Sequence, residues 1–170
     1  MAVLPSLEYW LRGPVENVPS LLQPAAHALL QARDEVNNAL LDFPEEQLWR
    51  KPNMVASVAF HLQHIPGVIN RLMTYAKGEV LSQEQLDYLV EEGKRKEDIT
   101  LAGLLNHFNQ QMDIALAELK ITDPALLTEI RFVGRKQIPS TMIGLIFHAA
   151  EHTMRHTGQL LVTVAVLKNS

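Results

Sequence analysis

Residues 148–160 read His148-Ala-Ala-Glu151-His152-Thr-Met-Arg155-His156-Thr-Gly-Gln159-Leu160. The histidines recur at i, i+4 and i+8, which stacks their side chains on one face of an α-helix. Leu145 and Leu160 continue that row, so the imidazoles extend an apolar stripe and point towards a helical core. A buried imidazole needs a partner for each ring nitrogen, and three in a row exceed what backbone groups readily supply. A metal ion is the economical partner. Neighbours four apart lie about 6 Å apart along the axis and the outer two about 12 Å. Nitrogens roughly 2.1 Å from one ion therefore come from one adjacent pair. The pair is His148 with His152, or His152 with His156.

A second window offers the missing ligand. In Ser57-Val-Ala-Phe-His61-Leu-Gln-His64-Ile-Pro66-Gly67 the two histidines stand at i, i+3 on one helical face, and either can reach a neighbouring helix. Five of the seven histidines thus fall in two core-facing windows, whereas isolated His27 and His107 are expected to be structural. Two ligands from one helix and one from another give a facial site with open positions, suited to zinc, nickel or iron(II). Spare histidines then support the ligands or line the pocket. Pro66 cannot donate to the Leu62 carbonyl, so a kinked or split second helix is expected, re-aiming both His61 and His64.

Around these windows the patterning is helical throughout. Long proline-free stretches run over 25–43, 67–123 and 140–170. A first helix opens at Pro24 and reaches about Phe43; a second covers about 54–77 and stops at Gly78. Ser82 with Gln85 forms a capping box for a shorter helix ending before Gly93, and Thr100 caps a helix from Leu101 to about Lys120. Lys94 to Asp98 is a solvated charge run. Residues 128–138 read as a loop or small hairpin, and Ser140 caps a last helix reaching nearly to Lys168. The expectation is one all-α domain over residues 1–170, a four-helix bundle with residues 1–23 as an extended N-terminal arm packed on it.

Composition narrows the function. The 170 residues carry 15 Lys+Arg against 19 Asp+Glu, net charge −4, with no basic cluster longer than Lys94-Arg95-Lys96. Dedicated nucleic-acid binding is disfavoured. The absence of cysteine removes disulfides, thiolate ligands and a protein thiol nucleophile, and fits a reducing compartment. Met1 to Trp10 has no basic leader, and the longest apolar stretch, Leu160 to Leu167, is far short of the roughly 20 residues of a membrane span. A soluble cytoplasmic protein is expected.

Other motifs fare poorly. His148-Ala-Ala-Glu151-His152 matches the inverted zinc-peptidase pattern formally, but those enzymes need a larger fold and a distant Glu ligand. No Glu is followed by His at i+3, which excludes a ferritin-like di-iron bundle. Glu151 lies one residue off the histidine row and reads as a solvated helix-face Glu rather than a general base. Arg71, Arg155, Tyr75 and Gln159 are candidates for orienting an anionic substrate, though each residue type is commoner on surfaces.

The pairing of Ser57-Val-Ala-Phe-His-Leu-Gln-His64-Ile with Phe147-His-Ala-Ala-Glu-His152-Thr-Met-Arg-His156-Thr-Gly-Gln-Leu resembles the DinB/YfiT-like family, over about residues 20–167. The resemblance implies an up-down-down-up four-helix bundle, commonly a homodimer, that binds a divalent metal, often nickel or zinc. It implies His64, His152 and His156 as ligands, with His61 and His148 as pocket histidines or alternates. Some members of that family are S-transferases using low-molecular-weight thiols. The implied function is metal-dependent thiol transfer to a small electrophilic substrate; the alternatives are a metal-dependent hydrolase and a non-catalytic, stress-related metal-binding bundle.

Overall fold

The computed structural model describes residues 7–169. Its helices are α1 (Gln23–Ala39), α2 (Val58–Ala76), α3 (Gln83–Glu91), α4 (Leu101–Ile121) and α5 (Met142–Lys168). A hairpin of β1 (Ile130–Val133) and β2 (Ile138–Thr141) precedes α5, with Ile130 opposite Thr141 and Val133 opposite Ile138. The class is mostly helical, as the sequence predicts, and the uncertain 128–138 segment is part of this hairpin.

Helix starts follow their caps. Ser57 accepts from Phe60 N at 3.2 Å, Thr100 from Gly103 N and Thr141 from Gly144 N at 3.1 Å each, satisfying amides that have no intrahelical partner. The capping box of Ser82 and Gln85 is present. Three boundaries differ from the sequence reading. The first helix ends at Ala39 rather than Phe43, and α2 begins at Val58 rather than near 54, because Asn53 and Met54 adopt positive φ. Ser140 lies within β2, and Thr141, the last residue of that strand, is the cap of α5.

Proline does not split the second helix. Pro66 lies inside a continuous α2, whose flanks pack on α3, α4 and α5. Pinning from several sides offsets the one backbone bond that proline removes.

Paired residues give the helix directions. Ala56 meets Thr163, His61 meets His156 and His64 meets His152, so α2 and α5 run antiparallel. Asn70 meets Gln111 and Lys77 meets Glu118, so α2 and α4 run the same way. The chain must therefore travel back along the bundle between them, and α3 makes that return against α2. Gln85 bonds Asn70 and Thr74, Tyr88 Oη donates to the Gln63 carbonyl, and Gly93 N donates to Gln63 Oε1. No α3 residue is fully buried.

The core between α1, α2, α4 and α5 is aliphatic, with Phe108, Leu62, Ile65, Ile69, Met112 and Leu160 fully enclosed. Each such side chain contributes about 1.5–3 kcal/mol through water exclusion. Beyond residues 1–6, which lie outside the described residues, the arm is not simply extended. It holds one-turn 3-10 helices at Tyr9–Leu11 and Ser20–Leu22. Gln23 fastens it, accepting from Val15 N and donating to the Val15 and Val18 carbonyls, and His27 Nε2 donates to the Gly13 carbonyl at 3.0 Å.

Candidate metal centre

The α2 and α5 faces bring four imidazoles together because an i, i+3 pair on one helix lies against an i, i+4 pair on its antiparallel neighbour. His64 Nε2 stands 3.1 Å from His152 Nε2, and His61 Nδ1 stands 3.1 Å from His156 Nδ1. The His156 ring centroid lies 4.5 Å from those of both His64 and His152. One ring nitrogen from each of His64, His152 and His156 falls within 4.8 Å of the others. Two ligands about 2.1 Å from a common ion stand roughly 3.0–3.4 Å apart, a spacing that His64 and His152 already have.

Protonation favours the same use. Burial first, then the His64 charge, lowers the pKa of His61 to about 4. Burial first, then the charges of His64, His152, His61 and Arg155, lowers that of His156 to about 4. His152 is lowered by burial and by His64. These three rings are neutral near pH 7 and keep a lone pair available.

Two groups orient the cluster from behind. His64 Nδ1 lies 2.7 Å from Glu92 Oε2, and Glu92 Oε1 accepts from Arg71 at 2.6 Å. An acceptor-only carboxylate holds a proton on Nδ1, so Nε2 is the nitrogen that His64 presents to His152. Two imidazole nitrogens 3.1 Å apart require a proton or a cation between them. Phe60 stacks on His64 with rings 5.0 Å apart and 14° from parallel. On the far side, the Nδ1 contact of His61 with His156 leaves His156 Nε2 for the cluster. The donor set fits a divalent ion: three converging imidazoles, two of them already at ligand spacing, and a carboxylate–histidine pair behind one of them. His152 Nδ1 is buried without a hydrogen-bond partner, so its ring is held by packing alone at that nitrogen.

Glycine makes room for this support. A Cβ at Gly67 would collide with Glu92 Oε1, Arg71 and the Tyr88 ring, so the Arg71–Glu92 pair can sit against α2 only because residue 67 has no side chain. Gly93, with φ +79°, turns the chain immediately after Glu92 and passes the Phe60 ring.

Each histidine singled out in the sequence has a definite place. His64, His152 and His156 converge. His61, 1% exposed, backs His156, while His148 is exposed and bonds Glu151 at 2.6 Å. Glu151 also takes two bonds from Arg155, so neither residue of that pair is directed at the cluster. Arg71 is buried and committed to Glu92 rather than free for a substrate. Glu92 was not singled out: it is 28 residues from its imidazole partner, beside a charge run, and no periodicity marks it. A cleft of about 320 Å³ opens beside the cluster, lined by His64, His148 and His152, by Tyr75 and Arg71, and by Val68, Leu72, Leu81 and Leu89.

A family model described as the DinB superfamily matches residues 28–160, a span that includes all five histidines of the two windows. No curated protein matches the chain. Among the described residues no helix is long and apolar enough to cross a membrane.

Proposed function

The chain belongs to the DinB superfamily, and from that premise we propose that it is a divalent-metal-dependent enzyme. In this reading it transfers a low-molecular-weight thiol to a small electrophilic substrate, with His64, His152 and His156 as ligands of zinc or nickel. The observation that carries the reading is the convergence of those three imidazoles beside an open cleft. A bound divalent ion supplies Lewis-acid stabilisation of an anionic sulfur at neutral pH. Glu92 keeps the His64 Nδ1 proton in place and Arg71 neutralises Glu92, so the His64 ring holds its orientation through the reaction. Neutral His61 does the same for His156. The aliphatic cleft wall excludes water from the reacting groups and accepts the apolar part of the electrophile. With no cysteine in the chain, the thiol arrives as a cosubstrate. The proposed setting is a cytoplasmic homodimer, supported by the exposed Leu7, Trp10 and Leu11 of the arm. Light scattering near the monomer mass of 19.1 kDa would remove that part.

Elemental analysis of untagged protein, soaked with zinc or nickel, is expected to find one ion per chain. His64→Ala, His152→Ala and His156→Ala each abolish tight retention, and His61→Ala weakens it less. Thiol titrated into cobalt-loaded protein produces a thiolate charge-transfer band, and bound thiol then alkylates faster than free thiol. Saturating metal with no thiol binding and no transfer rejects the transferase reading. Turnover of an activated ester without thiol replaces it with hydrolysis.

A further inference from the structure

The His148-Ala-Ala-Glu151-His152 motif remains outside the inner cluster. We propose that His148, Glu151 and His152 form a second, outer position for a divalent cation, from which the inner triad is loaded. One ligand atom from each residue lies within 4.8 Å of the others, a two-histidine, one-carboxylate set on a single helical face. The outer position differs from the inner in its access: the His148 side chain is 49% exposed and that of Glu151 28%. It also supplies a carboxylate oxygen as a ligand, which the inner three imidazoles do not. Arg155 shares both Glu151 oxygens. That competition keeps the outer position weak and exchangeable, which suits capture rather than storage.

His152 belongs to both groups. Its Nε2 faces His64, and a ring nitrogen of His152 lies within reach of each group, so an ion bound to His152 takes its remaining protein ligands either from His148 and Glu151 or from His64 and His156. Passage inward is a ligand exchange around His152: His148 and Glu151 give way, and His64 and His156 replace them. One cleft is lined by His148 of the outer position, by His64 of the inner and by the shared His152. The destination rests on the reading of the inner triad; the outer position stands on its own geometry.

Cobalt(II) separates the two. A His64→Ala/His156→Ala double variant, which keeps His152, is expected to bind one cobalt weakly, and adding His148→Ala abolishes that binding. In the otherwise native chain, His148→Ala and Glu151→Gln each slow cobalt loading by roughly tenfold with final affinity unchanged. Circular dichroism checks that every variant is folded. A double variant that binds cobalt no better than the triple variant, or loading rates that ignore both outer substitutions, overturns the proposal. A wild-type chain that binds no more tightly than the double variant refutes the inner triad instead, and the outer position is then decided by the His148→Ala step alone.

Discussion

One stripe of α5 has two characters. From His148 to His156 it carries imidazoles that are half-buried or exposed; from Leu160 through Val164 to Leu167 it carries aliphatic side chains no more than 4% exposed. Both halves use the same helical spacing and both pack against neighbouring helices. The aliphatic half gains water exclusion with nothing left unpaired. The imidazole half carries a ring nitrogen with no partner and rings kept neutral by burial. The aliphatic segment contributes stability, and the histidine segment chemical capacity.

The strongest way to break this contrast is to truncate the stable half. Leu160→Ala is expected to cost about 2–5 kcal/mol in chemical denaturation while leaving the metal affinity of the folded protein unchanged. A parallel loss of affinity would mean that the two halves are not separable.

An acid titration of metal-free protein probes the other half. His61 and His156 have folded pKa values near 4, below the unfolded 6.5, so the unfolded chain binds more protons between those values. Stability is therefore full above about pH 7 and declines as pH falls from 6.5 towards 4, by on the order of 2 kcal/mol for fully enclosed His61. In His61→Leu that slope should shrink. An unchanged slope would assign the acid sensitivity elsewhere.

The smallest effect sharpens the contrast within the site. Glu92→Gln keeps the size of the side chain but removes its charge, and is expected to weaken metal binding by about tenfold. Calorimetric titration of the variant reads this directly. Full affinity would show that the carboxylate has no hold on His64.

The sequence carried the repeating parts of this arrangement and missed the singular ones. Helical period and caps located every long helix, because burial of a stripe and satisfaction of free amides leave local marks. Errors fell where adjacent residues compete for one role: Ser140 beside Thr141, or apolar Met54 and Val55 just before the true cap at Ser57. The histidine row announced itself for the same periodic reason. Glu92 did not, since its relation to His64 is created only when α3 folds back along α2. Pro66 misled because a local rule about one lost hydrogen bond says nothing of the three helices that hold α2 in line.

Gly67 fixes the order in which this site can change. A methyl group at 67 and a carboxylate at 92 claim the same space. A variant that enlarges residue 67 first meets a collision with Glu92, Arg71 and Tyr88. A variant that shortens residue 92 first releases His64 but opens that space. Substitutions at 67, 71 and 92 are therefore contingent on one another, and a side chain at 67 comes last, since shortening residue 92 still leaves Arg71 and Tyr88 2.8 Å from its Cβ.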